Sequence, residues 1–278
     1  MTDAARPSRR GALAARGLGS AAARAAPAFV PPLVSAARAH GFAPPVVLVH
    51  GAWRGAWSWS KLLHPLSDSG VMAAAVQLSG LGANAHRQAP EIGLNVHAQD
   101  LANHLRFNDI RGAVVVGHGY GGCVLSAALA QDTERRIAHA VFLDAAFLDD
   151  GEALADHLTP ADRDAYEAAA RDGALIPPPP DEVARGLGGP AAGLADWARD
   201  RLRPLSAGCF TEAQRGRPFR DGLRLSYLRC TRAAHPLQDR FLAKAQDDPR
   251  FSIRTLDAPH DVMRIDPALT RSALLASF

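Results

Sequence analysis

The sequence predicts an α/β protein built on a mostly parallel sheet with helices on both faces. Three observations carry this. Short apolar runs alternate with helical patterns along most of the chain. Those runs are continuous rather than alternating, as strands buried on both faces require. One of them, Val114-Val115-Val116, runs into Gly117-His118-Gly119-Tyr120-Gly121-Gly122, a glycine-rich turn that opens a helix.

The elements follow in order. Pro45 to Val49 is apolar, bounded by Pro44 and Gly51, and reads as the first strand. The loop His50-Gly51-Ala52-Trp53-Arg54-Gly55-Ala56-Trp57 leads to a helical pattern from Trp57 to Ser69, stopped by Gly70. Val71 to Leu78 is the second strand. A polar loop leads to a helix over about Asn95 to Leu105, with Val96, Leu101 and Leu105 as its apolar positions. The Val114 strand and a helix from Cys123 to Gln131 come next, then a strand over Ile137 to Leu143.

Composition then changes. Residues 152–221 hold acidic and Ala-rich helical stretches, Pro177 to Pro180 and Gly186 to Gly189, without a visible buried strand. This reads as a helical cap over the C-terminal ends of the strands, where open α/β sheets bind ligands. Strands resume at Leu223 to Leu228 and Phe251 to Leu256, separated by a helix over Gln238 to Gln246 and followed by one over Pro267 to Ser277. The core is thus expected at 43–151 and 222–278.

The chain has 278 residues, 47% hydrophobic and 21% charged, enough for one large core domain. The net charge is +3. Arg6, Arg9, Arg10, Arg16, Arg24 and Arg38 stand against Asp3 in the first forty residues, so the remainder is near neutral. Nothing in that balance points to nucleic acid. Cys123, Cys209 and Cys230 lie far apart with no C-x-x-C spacing, so neither a disulfide framework nor a zinc site is expected. No apolar run reaches the length of a membrane span.

Residues 1–42 are set apart as a leader. Ser8-Arg9-Arg10-Gly11-Ala12-Leu13 resembles a twin-arginine export signal, and Ser35-Ala36-Ala37-Arg38-Ala39 has the small residues of a cleavage site. An organelle transit peptide and a disordered tail on a cytoplasmic protein share the Arg-rich, acid-poor composition.

Four motifs occur in a telling order. They are Val46-Val47-Leu48-Val49-His50-Gly51-Ala52-Trp53, the turn Gly117 to Gly122, Val141-Phe142-Leu143-Asp144-Ala145, and Ala258-Pro259-His260-Asp261. Together they resemble the α/β-hydrolase superfamily. The branch looks like that of plant methylesterases, hydroxynitrile lyases and bacterial pyrethroid-type carboxylesterases. The resemblance covers residues 45 to 278, and the HGAW segment is its most specific part.

The resemblance makes Gly117 to Gly121 the nucleophile elbow, G-x-S-x-G in the family. Every glycine is present, and Gly119 occupies the position of the serine. Glycine adopts the positive φ of that turn at little cost, so the turn is expected to survive without its hydroxyl. Tyr120, Cys123 and His118 are poor substitutes by position. His260, after the last strand, corresponds to the general base. An unperturbed imidazole titrates near neutrality, which suits proton transfer. The family's usual acid position here reads Cys230-Thr231-Arg232-Ala233-Ala234, with no carboxylate before Asp239. Asp144 is preferred instead. It follows four apolar residues, and burying it unpaired would be costly. Haloalkane dehalogenases of the same superfamily take their acid from this place.

The oxyanion hole is expected from the backbone N–H groups of Ala52 and Tyr120. His50 and Trp53 are expected in the substrate pocket. Trp57 and Trp59 read as packing, and His97 with His104 as surface residues. His50, His118 and His260 lack the ligand spacing of a metal site, and no cofactor is implied.

The expected function is esterase-like chemistry on a small apolar ester or carbonyl compound, carried by His260 and Asp144 without a serine. Lyase, decarboxylase and cofactor-free oxygenase reactions suit the same residues. A non-catalytic receptor for a small ligand and an inactive esterase are the alternatives. Oligomeric state is not specified by these features.

Overall fold

The computed structural model describes residues 43–187, 194–232 and 235–278. The expected leader lies outside them. Six strands form one wholly parallel sheet: β1 (Val46–Val49), β2 (Ala73–Val76), β3 (Ala113–His118), β4 (Ile137–Leu143), β7 (Arg224–Cys230) and β8 (Phe251–Leu256). Their spatial order is β2-β1-β3-β4-β7-β8. The chain winds outward from β1 to β2, then returns across β1 to β3. The β1/β3 boundary is therefore the topological switch point, with the loops after both strands opening a crevice there.

Strand side chains alternate between two cores. Val46, Leu48, Val114, Val116, Val141 and Leu143 pack on one face, with Trp59 and with α1 (Ser60–Asp68) and α10 (Pro267–Leu275). Val47, Val49, Val115 and Phe142 pack on the other. There they meet α2 (Leu94–Phe107), α3 (Gly121–Gln131) and α8 (Pro236–Gln246). Both faces are covered, which is why the strands read as unbroken apolar runs. Asp266 caps α10 by accepting from Leu269 N–H, 2.8 Å, ahead of Pro267 at its first position.

Some boundaries differ from the sequence reading. α2 begins at Leu94, and its inner face is Leu94, Ala98, Leu101 and Leu105 together with His97, whereas Val96 points outward. His97 is fully buried rather than a surface residue. A short helix, α9 (Val262–Ile265), follows the His260 loop.

Between β4 and β7 the chain carries α4 (Pro160–Arg171), α5 (Glu182–Leu187), α6 (Leu194–Arg199) and α7 (Gly208–Thr211). It also carries two strands, β5 (Leu175–Ile176) and β6 (Leu205–Ser206), paired antiparallel. Two-residue strands are too short for a period-2 pattern to register, so the sequence reading missed them.

The turn at the end of β3 is set by contact distances. A Cβ on Gly117 would sit 2.6 Å from the Gly121 carbonyl oxygen, and one on Gly121 would sit 2.6 Å from that of Val49. Close approach of β1, β3 and α3 leaves room only for hydrogen. Gly117→Ala is accordingly expected to cost about 3 kcal/mol or more by overpacking, lowering the melting midpoint by roughly 6–12 °C. Gly70→Ala meets nothing within 4 Å at φ +74°, and its cost should stay near 1 kcal/mol. Thermal melts of both variants check the contrast.

Candidate active site

The crevice at the switch point holds a cavity of about 670 Å³. Gly51, Ala52, Trp53, Gly119, Tyr120 and His260 line it from the sheet side, and Leu154, Tyr166 and Phe210 from the insertion between β4 and β7. Phe210 packs 4.8 Å from Tyr166, 5.7 Å from Trp53 and 6.1 Å from Tyr120, between ring centroids. Arg54, Asp162, Asp181, Glu182 and Arg232 also reach the lining, so the cavity is less uniformly apolar than expected.

His260 and Asp144 come together across 116 residues. The His260 Nδ1–H donates to Asp144 Oδ2 at 2.6 Å. Asp144 is completely buried and holds φ +46°. The parallel register explains how it is held. Its N–H continues the β4–β7 ladder to Leu228 O at 2.7 Å, and its Oδ1 accepts from the Cys230 N–H at 3.1 Å.

A third partner was not anticipated. Arg229 Nη1 donates to Asp144 Oδ1 at 2.7 Å, and Arg229 Nη2 to Asp239 Oδ1 at 2.6 Å. Asp239, the first carboxylate after the family's usual acid position, therefore serves the far side of this arginine. An arginine among the apolar residues of β7 was the available signal, because a buried guanidinium needs a partner.

The charges settle as follows. Burial opposes ionisation of Asp144, but hydrogen bonds and charge from His260 and Arg229 overcome it and lower its pKa. Burial also opposes protonation of His260. The Asp144 hydrogen bond and charge, aided by Asp261, prevail and raise its pKa above the ordinary value.

Gly119 has φ +55°. Its N–H donates to Leu143 O at 3.4 Å, and its carbonyl accepts from Gly122 N–H at 3.2 Å and Ala146 N–H at 3.1 Å. A Cβ built there would lie 3.3 Å from His260 Nε2 and would meet no atom nearer. Unlike Gly117 and Gly121, this glycine has space for a side chain, and that space faces the imidazole.

Ala52 and Tyr120 line the same cavity, and among the described residues neither backbone N–H donates a hydrogen bond. Tyr120 is fixed from behind. Its hydroxyl donates to His97 Nδ1 at 3.0 Å, while His97 Nε2–H donates to Ser79 O at 2.9 Å. Trp53 holds φ +61° and its Nε1–H donates to Ile176 O at 3.0 Å, tying the loop to β5.

His50 corrects the sequence reading. It is fully buried and is not part of the cavity lining. Its Nε2 accepts from the Leu78 N–H at 3.3 Å and its Nδ1–H donates to Gly51 O at 3.0 Å. Burial lowers its pKa to about 3, so it is a neutral brace for the loop. His118 braces the opposite side, donating from Nε2 to His260 O at 3.0 Å.

Arg54 joins three segments. It is buried, pairs with Glu182 of α5, donates to Asp261 Oδ2 at 3.0 Å and to Ala52 O at 3.3 Å. Asp261 N–H in turn donates to Gly186 O at 2.7 Å. Among the described residues, His118, His260 and Asp261 bring possible metal donors within 4.8 Å of one another. His118 Nε2 and Asp261 Oδ2 are already engaged as above, and the Arg54 guanidinium supplies the positive charge there.

The alpha/beta hydrolase family profile matches residues 46–273. The chain belongs to the alpha/beta hydrolase family. Curated relatives that it resembles over part of its length include named esterases. It is 28% identical over 166 residues to a carbendazim hydrolyzing esterase of Nocardioides sp. (strain SG-4G), covering 59% of this chain and 61% of that protein. It is 32% identical over 145 residues to the pheophorbidase of Raphanus sativus, covering 48% and 51%. The chain thus spans less than two thirds of the length of these relatives. Among solved structures, an extracellular alpha/beta-hydrolase from a Paenibacillus species superposes with a TM-score of 0.70 at 21% identity, over 84% of this chain and 99% of that one. Tomato methylketone synthase I complexed with 2-tridecanone gives 0.64 at 21% identity, over 84% and 98%. Both share the fold. No helix among the described residues is long and apolar enough to cross a membrane.

Two variants should move the pH dependence of any His260-dependent reaction in opposite directions. A general base must be neutral, so the acid limb of kcat/KM should lie above the ordinary imidazole value of about 6.5. Asp144→Asn removes the group that raises the His260 pKa and should move that limb to lower pH. Arg229→Met leaves the Asp144 charge with one partner fewer, which should move it higher, and should cost about 3–5 kcal/mol of stability. The pH–rate profiles and denaturant midpoints of both variants check this.

Proposed function

We propose that this protein acts on a small apolar ester or carbonyl compound through His260 and Asp144, with Gly119 standing where the family places its nucleophilic serine. One observation carries the reading. His260 is held at Nδ1 by Asp144, and its Nε2 is 3.3 Å from where a Cβ of residue 119 would be. The base is oriented and supported, and residue 119 offers it no hydroxyl.

The steps available to these groups balance without a covalent intermediate. His260 Nε2 takes a proton from a water in the space above Gly119. The oxygen attacks the ester carbonyl, and the Ala52 and Tyr120 N–H groups receive the charge that develops on the carbonyl oxygen. When the tetrahedral intermediate breaks, the imidazolium returns the proton to the departing alkoxide. Asp144 stabilises the imidazolium meanwhile. The carbendazim hydrolyzing esterase and the putative methylesterases among the relatives support an ester-type substrate, and the 2-tridecanone complexed with methylketone synthase I supports an apolar chain.

Gly119→Ser tests the role of that position. At φ +55° the serine should cost about 1–2 kcal/mol of stability. Hydrolysis of p-nitrophenyl and methyl esters should rise by a factor on the order of 10², with labelling by a serine-directed phosphonate in the variant alone. Phosphonate labelling and inactivation of the native chain would defeat the reading. His260→Ala should abolish the native activity. Ligand binding retained without any activity in the native chain would identify a receptor instead.

A further inference from the structure

His260 stands at the end of two rows of charges built in the same order. In one, the Arg229 guanidinium lies between Asp144 and Asp239. In the other, the Arg54 guanidinium lies between Asp261 and Glu182. Each row places a carboxylate near the imidazole and an arginine behind it. The first row follows from the need of a base for an orienting acid. The second does not, yet it is buried throughout: Arg54, Asp261 and Glu182 are 3%, 5% and 8% exposed.

Asp261 is not neutralised by Arg54 alone. Arg54 Nη2 donates to its Oδ2 at 3.0 Å, while Nη1 donates to Glu182 and to Ala52 O. One guanidinium charge is thus divided between two carboxylates. Asp261 Oδ1 is shut from solvent and accepts no hydrogen bond from a described residue. A carboxylate so placed keeps a strong field, because little solvent screens it. Two imidazoles are close by. One ring nitrogen each of His118 and His260 and one carboxylate oxygen of Asp261 lie within 4.8 Å of one another. His118 does not carry the balancing charge, because burial takes its pKa down to about 3. It is a neutral spacer, 4.2 Å from His260 between ring centroids. The Asp261 charge instead adds to that of Asp144 in favouring protonated His260, and Arg54 works against both.

We propose that Glu182 is a positioning residue for His260: by holding one end of Arg54 it keeps that guanidinium from cancelling Asp261, and so leaves Asp261 as a second counter-ion for the imidazolium. The helix that brings Glu182 also fixes the carboxylate it serves. Gly186 O, one turn further along α5, accepts from the Asp261 N–H at 2.7 Å. A Cβ on Gly186 would lie 2.5 Å from Asp261 Oδ2 and 2.8 Å from Arg54 Nη2, so only glycine lets α5 approach the pair this closely. Of the remaining charged groups near the base, Asp144 and Arg229 belong to the first row. Arg232, at the rim of the cavity, is bonded to Asp257. The role rests on the reading of His260 as the base, but the coupling of charges is a property of the protein without substrate.

The test is an NMR titration of the histidine ring signals in the full chain, without substrate. There are eleven histidines, and the His260 signal is the one absent from His260→Ala. Removing a nearby negative charge favours the neutral imidazole, so the midpoint should fall. Asp261→Asn should lower it by about one pH unit and Glu182→Gln by about half a unit. Glutamine can keep the hydrogen bond from Arg54 and loses only the charge, so the melting midpoint of that variant should stay close to the native one. Asp162→Asn removes a carboxylate of the same cavity from outside the row and should leave the His260 midpoint in place. An unmoved or raised midpoint in Glu182→Gln, an unmoved midpoint in Asp261→Asn, or an equal fall in Asp162→Asn would each overturn the proposal. The catalytic reading fails separately: a His260→Ala protein of full activity would end it while the shifts in midpoint stood.

Discussion

A single buried carboxylate organises this site. Asp144 lies at the end of β4 with no exposure to solvent, so its charge must be neutralised by partners brought to it. Three arrive from two separate stretches: the imidazole of His260, the guanidinium of Arg229 and the amide of Cys230. The first belongs to the loop after β8 and the others to β7. Satisfying one charge thus fixes the ends of three strands against one another. The same bonds raise the basicity of His260 and leave its Nε2 facing the elbow.

Around that charge the fold works by exclusion. The elbow glycines at 117 and 121 let β1, β3 and α3 approach until a methyl group no longer fits. His50 and His118, both held neutral by burial, fill the space beneath the two loops and satisfy backbone groups there. Tyr120 is anchored through His97 to the loop after β2. These contacts hold Ala52 and Tyr120 at the cavity wall, and a serine side chain at position 119 takes no part in any of them. That is why an intact elbow is compatible with glycine at 119.

The sheet was legible in the sequence because parallel strands buried on both faces leave unbroken apolar runs. Ile137 to Leu143 and Phe251 to Leu256 emerge with the same bounds in both readings. The pairing of His260 with Asp144 was legible from one rule, that a carboxylate at the end of an apolar strand needs a partner. The role of Arg229 was not, because it depends on β4 and β7 lying side by side across an insertion of about eighty residues. His50 misled because a motif names residues without saying which way they turn. His97 misled because a histidine inside a helical pattern looks polar until its neighbours are known. The β5–β6 pair is held by two residues on each strand, below any periodicity.

The Arg54 cluster has a mechanical consequence. One guanidinium fastens the loop after β1, the loop carrying His260 and Asp261, and the α5 helix of the insertion. The cavity wall formed by α5 and the loop of His260 therefore share a fastening. Displacing α5 would strand a buried ion pair, at a cost of about 3–5 kcal/mol. The same displacement would loosen Asp261, the neighbour of the base. A shift of α5 is therefore felt at the loop of His260, and that wall of the cavity and the histidine keep or lose their alignment together.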